Sequence, residues 1–473
     1  MNLTHIIVFS LFSLLVSWFV PFRWRWWLLL GGSILAIFWM QPSTAIRNLD
    51  FWLPFTSIAL TMLTWAIIRG DPGDRKKTLL GYSVIIGTIL FIALTRYSDP
   101  LCCLTASRPP QLLQVLIALG FLGAISATIN LFPHVNKYFT VAAIVLIISL
   151  FFVLKTGYLT QSASQWLRSL TGQDPNLAKV LDLQWLGFSF LALRLLHTLR
   201  DHQNNKIPPY TLSEFVTYGI FFSSYTAGPI DRSQHFIKNI GQPHLIASEN
   251  TAEGGRRIII GVFKKFVIAD SLAIFALNAQ NTLQTTSTIW LWVLLYAYAL
   301  RIYYDFSGYT DVALGLARLL GINLPENFDR PYLKTSLTDF WNSWHITLAQ
   351  WFRAYYFNPL TRYLRSNPTK PPIWLIILLG QVSTMLLIGI WHGVTWNFIV
   401  WGLWHGVGLF INNRWSSWVR PHLSNFDQNG YFISLLKFGS WFLTFQFVVL
   451  GWVWFALPSI DLSLLVFQRL FGR

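Results

Sequence analysis

Charge is scarce in these 473 residues: only 11% are Asp, Glu, Lys or Arg, against roughly 25% in a soluble domain. That shortage excludes a water-soluble globular protein, and the chain reads as an integral membrane protein. Long polar stretches are missing too. Apolar segments recur from His5 to Leu470, with no polar gap wide enough for a separate soluble domain. Cysteine is nearly absent. Cys102 and Cys103 are adjacent, cannot staple distant loops, and read as small apolar residues near a membrane surface. No CxxC, HExxH or GxSxG motif occurs, so the common metal-ligand and serine-nucleophile signatures are missing.

What is there is hydrophobic: 54% of the residues, with a mean hydropathy of +0.47. The net charge of +16 would suggest nucleic acid in a soluble protein. Here the basic residues sit in loops between apolar runs, as the positive-inside rule expects. No RNA-binding motif accompanies them, and no nucleic-acid partner is expected.

A transmembrane helix needs about 20 apolar residues. Candidate spans lie near 5–21, 26–41, 51–68, 78–95, 111–131, 138–155, 180–199, 257–278, 286–303, 373–391, 396–412 and 432–456, with a shorter apolar run at 459–470. The N-terminal run lacks a basic n-region and a cleavage site, so 5–21 is expected to be a retained span. Arg23 and Arg25, then Arg69, Arg75, Lys76 and Lys77, then Arg200 and Lys206 mark cytoplasmic loops. The N-terminus is then outside, and QSASQWLRSLTGQDPN, 161–176, is expected as an external loop.

Two regions do not read as simple spans. Residues 211–235 run apolar and break at Gly228-Pro229, with basic residues on both flanks. A helix that enters and returns fits that charge pattern. Irregular backbone at such depth must be buried in protein or line a wet cavity. Residues 301–365 carry Asp305, Asp311, Arg318, Asp329, Arg330 and His345 among many aromatics, as interfacial or half-buried helices do. Ionisable residues at membrane depth are functional candidates.

The stretch WHGVTWNFIVWGLWHG, 391–406, holds Trp-His-Gly twice. His392 and His405 are 13 positions apart, roughly 220° around a straight helix, and so do not form a metal pair on one face. His405 is expected to make a structural hydrogen bond between helices. His392, at the end of an apolar run beside Gly393, and His345, in FWNSWHITL, are the candidates for proton transfer, because imidazole takes and returns a proton near neutrality. Acyl transfer to a hydroxyl fits a membrane-depth histidine base without a nucleophile motif.

The stretches AGPIDR (227–232), YYDFSGYTDVALGLARLLGINLPENFDRPYL (303–333), FWNSWHITLAQWFRAYYFNPL (340–360) and GIWHGVTWNFIVWGLWHGVGL (389–409) together resemble the membrane-bound O-acyltransferase (MBOAT) family. They are similar to its bacterial branch, which includes the alginate O-acetylation protein and the D-alanyl transferase of teichoic acids. In the first half only GFSFLALRLLH (187–197) matches beyond hydropathy.

The resemblance implies an all-α polytopic membrane protein: a ring of about 11–13 transmembrane helices, with re-entrant and interfacial helices, around a central tunnel. One integral domain would span 1–473, with N-terminal spans to 200, a catalytic core at 201–412 and C-terminal spans beyond. His392 matches the family's essential histidine, and His345 its second one. Asp305, Asp311, Asn327, Arg330, Trp341, Trp344, Trp391 and Asn397 are candidates for substrate contact.

An acyl group, acetyl first and D-alanyl as the alternative, would pass from a cytoplasmic donor to hydroxyls of an extracytoplasmic polysaccharide or cell-envelope glycopolymer. Acetyl-CoA or an acyl carrier protein would be that donor, as a substrate, with no resident cofactor or metal. An extracytoplasmic acyltransferase or the polymer itself would be the acceptor-side partner, in a bacterial cell membrane. Arg362, Arg365 and Lys370 follow FNPL and are candidates for docking an acidic carrier. A transporter would also use buried charges and broken helices. However, no inverted repeat is visible, and the ionisable residues cluster in one half.

Overall fold

Apolar runs of this length satisfy their backbone groups internally by becoming helices. The structure is a computed structural model and describes residues 1–69, 75–98, 104–132, 136–240, 248–366, 368, 371–423 and 430–472. Cys102, Cys103 and Lys370 lie outside the described residues. Among the described residues the only β pairing is an isolated antiparallel bridge between Phe328 and Trp344.

The helices are α1 (Leu3–Phe19), α2 (Phe22–Met40), α3 (Leu49–Ile68), α4 (Arg75–Leu94), α5 (Leu112–Leu131), α6 (Asn136–Lys155), α7 (Gly157–Leu170), α8 (Phe188–Gln203), α9 (Leu212–Ile220), α10 (Ser233–Ile240) and α11 (Ser248–Val262). They continue as α12 (Asp270–Phe275), α13 (Ala279–Gln284), α14 (Thr288–Leu319), α15 (Leu337–Ser343), α16 (Ile346–Phe352), α17 (Asn358–Ser366), α18 (Ile373–His392), α19 (Trp396–Leu423), α20 (Gly430–Ala456) and α21 (Ile460–Leu470).

Six helical segments among the described residues are long and apolar enough to cross a membrane: α3, α4 extended to Tyr97, α5, α6, α18 and the Ile433–Ala456 part of α20. The chain is an all-α polytopic membrane protein. Several expected spans are altered. The run 180–199 is shortened, because Val180–Asp182 is a 3-10 turn and α8 starts at Phe188. The run 257–278 is interrupted by a π-helix at Phe263–Ala269. The run 286–303 continues as α14 to Leu319, because Asp305 and Asp311 are neutralised by Lys265 and Arg257.

The chain forms two compact units, divided within α11, within α14 and between Pro325 and Glu326. One holds Met1–Ile259 with Thr310–Pro325, the other Ile260–Tyr309 with Glu326–Arg473.

In the first unit, α9 is capped by Thr211 and Glu214 and is followed by buried, non-helical backbone from Phe221 to Tyr225. This is the segment expected to enter and return, and its backbone is satisfied by protein. Arg194, 2% exposed, donates to the carbonyl oxygens of Tyr218, Gly219, Ser224 and Pro229 and to the Ser224 hydroxyl. Gly228 permits the fold-back, since a Cβ there would sit 2.4 Å from the Ser224 Cα.

The expected external loop at 161–176 is instead largely helical, as α7. Its inward face is polar. Ser164 and Arg168 are buried and both bond the buried Asp182 carboxylate, at 2.7 and 2.9 Å. Sequence patterning hides this, because the segment's polarity faces protein while Trp166 and Leu170 face outward.

In the second unit, α18 and α19 pack backbone to backbone. A Cβ on Gly389 would meet the Phe398 carbonyl oxygen at 2.2 Å, and one on Gly402 would meet the Met385 carbonyl oxygen at 2.7 Å. Glycine is required at both contacts. The π-helix serves a similar approach: a Cβ on Gly308 of α14 would lie 2.8 Å from the Gly261 carbonyl oxygen and 2.9 Å from the Lys265 amide nitrogen.

Candidate active site

His345 sits between α15 and α16 with φ 44°, a left-handed conformation that costs about 1–3 kcal/mol unless the surroundings hold it. What holds it is the extended segment around Asn327. Ile346 N–H donates to the Asn327 carbonyl, Asp329 N–H to the Ser343 carbonyl, and Phe328 bridges to Trp344. The fully buried Asn327 side chain then accepts at Oδ1 from Thr347 N–H (3.2 Å) and the Thr347 hydroxyl (2.9 Å), and contacts His345 Nδ1 (3.2 Å).

A backbone N–H can only donate, so the shared Asn327 atom is the oxygen. His345 Nδ1 must then carry its proton toward that oxygen, and the imidazole lone pair lies on Nε2. This arrangement fixes an acceptor nitrogen, Nε2, in a buried site.

The His345 ring lies edge-on to Phe306 at 4.7 Å and to Trp391 at 6.0 Å. Trp391 also abuts His392 at 4.8 Å, so the two histidines share one indole as a neighbour. His392 ends α18 and is further enclosed by Phe455 at 4.9 Å, Trp401 at 5.6 Å and Phe398 at 5.9 Å. Unlike His345 it is only half-buried.

His405 corrects its expectation. It is fully buried, and neither ring nitrogen has a hydrogen-bond partner among the described residues. Instead of bonding across helices it is packed by the rings of Trp401 (5.0 Å), Trp341 (5.2 Å) and Phe447 (5.8 Å). Gly451 makes room, because a Cβ there would come 2.8 Å from His405 Nε2.

A cavity of about 210 Å³ is lined among others by Trp341, Arg353, Gln381, Met385 and Ile388, and by neither histidine. Its α18 wall, Gln381–Met385–Ile388, follows helical spacing that continues to His392. Its other wall, Ala349–Arg353–Phe357, begins one turn beyond His345. The cavity therefore runs alongside both histidine-bearing segments.

The other candidates divide. Trp341 is part of the ring cluster around His405 and also lines the cavity. Trp344 packs on Trp452 (5.0 Å), Phe328 (5.2 Å) and Phe340 (5.7 Å). Asp305 pairs with Lys265 at 2.6 Å, which also holds Asp270 at 2.8 Å. Asp311 belongs to the first unit and pairs with Arg257 at 3.0 Å. Arg330 is exposed, with φ 45°. Asn397 has its amide committed to the Leu457 and Ser459 carbonyls and the Ser463 hydroxyl. It ties the start of α19 to the α20–α21 turn, a structural use the sequence did not reveal. Arg362 and Arg365 are exposed on α17.

Comparison with known proteins identifies the family. The model of the membrane-bound O-acyltransferase family matches residues 135–451. The chain is 33% identical over 268 residues to a peptidoglycan O-acetyltransferase of Helicobacter pylori, covering 56% of this chain and 48% of that protein. It is 30% identical over 289 residues to a teichoic acid D-alanyltransferase of Streptococcus thermophilus, covering 58% and 68%. It is 32% identical over 293 residues to a probable alginate O-acetylase of Pseudomonas aeruginosa, covering 61% and 51%. The matched part thus spans about half to two thirds of these relatives' lengths. The family match covers two thirds of the chain, including AGPIDR and both histidine motifs, and on that ground the chain belongs to the membrane-bound O-acyltransferase family.

Proposed function

We propose that this protein transfers a short acyl group, acetyl in the first instance, from a cytoplasmic thioester donor to hydroxyl groups of an extracytoplasmic polysaccharide or cell-envelope glycopolymer. The observation that carries the reading is the Asn327 clamp, which leaves the acceptor lone pair of His345 on Nε2, beside Trp391 and His392. The relatives named for O-acetyl and D-alanyl transfer support the reaction class.

His392 accepts the proton of the acceptor hydroxyl. The hydroxyl oxygen forms a bond to the acyl carbon, the carbon–sulfur bond breaks, and the proton passes from His392 to the departing thiolate. His345, with its lone pair on Nε2, accepts a hydrogen bond from the incoming hydroxyl and orients it. The cavity gives the donor a route along α18.

The test is acyl incorporation into glycopolymer in membranes containing the protein, using labelled acetyl-CoA and, separately, an acyl-loaded carrier protein. His345→Ala and His392→Ala, checked for insertion, are expected to abolish incorporation. A transporter would still move its solute with both histidines replaced, and that result would overturn the reading. D-alanyl transfer from a carrier is the second reading, favoured by the exposed Arg362 and Arg365 on α17.

A further inference from the structure

We propose that α7 is an interfacial helix of the extracytoplasmic leaflet, with one edge seated among lipid acyl chains and another in water. Its burial divides it into three faces. Thr160, Ser164 and Arg168 are buried against protein. Leu159, Trp166 and Leu170 are exposed, at 39%, 62% and 65%. At about 100° per residue, these three fall within roughly 40° of one another. Gln161, Gln165 and Ser169 are also exposed, and their line is centred roughly 120° away. A helix surrounded by water gains nothing by sorting its exposed residues into an apolar and a polar edge. A helix lying along a lipid boundary needs that division.

The chain before α7 shows which medium covers the apolar edge. Helix α6 is an apolar span that ends at Lys155. Its outward residues Val141, Val145, Ile148 and Phe152 are exposed, at the spacing of one helix face, as a lipid-facing span requires. Helix α7 starts at Gly157. The Thr160 hydroxyl donates to the Val153 carbonyl at 2.7 Å and to the Thr156 carbonyl at 3.0 Å, which joins the two helices at their turn. The apolar edge of α7 therefore continues the lipid-facing surface of α6 at the level where α6 leaves the hydrocarbon. Tryptophan belongs at that level. Val180 extends the surface, since a Cβ on Gly157 would lie 3.9 Å from its Cγ2, and the neighbouring Leu181 is 73% exposed. The basic loops put this connection on the extracytoplasmic side.

The buried face gives the lipid contact a structural consequence. Ser164 and Arg168 bond the Asp182 carboxylate, which also accepts from the Lys179 N–H at 3.1 Å. The turn at Val180–Asp182 is thereby held at the depth that lipid sets for α7.

The test places a nitroxide, one site at a time, through Leu159→Cys, Trp166→Cys, Leu170→Cys, Gln161→Cys, Gln165→Cys and Ser169→Cys, in a background with Cys102→Ser and Cys103→Ser. The full chain is reconstituted in bilayers of phosphatidylcholine and phosphatidylglycerol. Power-saturation EPR then reads collisions with oxygen, which concentrates in hydrocarbon, and with a neutral nickel(II) chelate, which stays in water. Oxygen access is expected to exceed nickel access at Leu159, Trp166 and Leu170, and the order to invert at Gln161, Gln165 and Ser169. Leu159→Cys and Gln161→Cys are the mildest pair, and they decide the case if the bulkier sites insert poorly. Nickel access dominating on both edges overturns the proposal in favour of a helix in water. Low access to both reagents at the apolar edge overturns it in favour of a protein cover, and spin–spin broadening there identifies that cover as a second copy of this chain.

Discussion

Asn327 gives one side-chain oxygen to three donors, and this fixes the chemistry of the residue beside it. Asn327→Ala is expected to leave His345 free to change tautomer and to lower the turnover rate by about 10- to 100-fold, while donor affinity changes little. Steady-state kinetics on inserted protein measure this split. His392→Ala should cost about 10²-fold or more, and normal transfer by a well-expressed His392→Ala protein would falsify its role as base. His405 behaves differently, because it has no hydrogen-bond partner among the described residues and fills space among rings. His405→Ala should lower stability by about 2–4 kcal/mol through the cavity it opens, with turnover per folded molecule preserved. Thermal unfolding and specific activity measured on one preparation separate the two effects. Both catalytic candidates stand out in the sequence, because histidine in an apolar run is conspicuous. The clamp does not, because it depends on an extended segment pairing back across 18 residues.

At the scale of elements, α7 and Asp182 form a unit that responds to pH. Burial raises the affinity of Asp182 for a proton, but hydrogen bonds from Arg168, Ser164 and the Lys179 N–H outweigh this and hold its carboxyl below the usual range. A carboxylate depressed in the folded state stabilises fully above its unfolded value, about 3.9, and that stability is lost as pH falls through the folded value. Wild type should therefore lose thermal stability on acidification more steeply than Asp182→Asn. Parallel melting curves from pH 6 to pH 3 would contradict the pairing. The same element shows why α7 was not legible. A polar sequence signals a loop when its polarity meets water, and here Ser164 and Arg168 meet Asp182. The π-helix at Phe263–Ala269 was hidden for a related reason. The apolar run continues through it, and the close Gly261–Gly308 approach that accompanies it joins segments far apart in the chain. Spans such as α5 and α6 were plain, since twenty apolar residues have few alternatives in lipid.

For the whole molecule, the proposed function makes the basic surplus a predictor of how an anionic donor would be received. Reversing charge at Arg362 and Arg365 should weaken donor affinity, most at low salt, with insertion and the donor-saturated rate retained. Donor titrations at two ionic strengths test this, and unchanged affinity at both would leave these arginines only a lipid-anchoring role. The buried Arg194 has a consequence for how the protein is made. The carbonyls it binds lie 24 to 35 residues later in the chain. During synthesis α8 therefore emerges before its guanidinium has these carbonyls to hold. A buried guanidinium without its partners is costly, so α8 is expected to pack only once the segment through Pro229 has been made. Biogenesis of this stretch is thus a joint event, in which a truncation after Gln203 would leave α8 unanchored and one after Arg232 would let it settle.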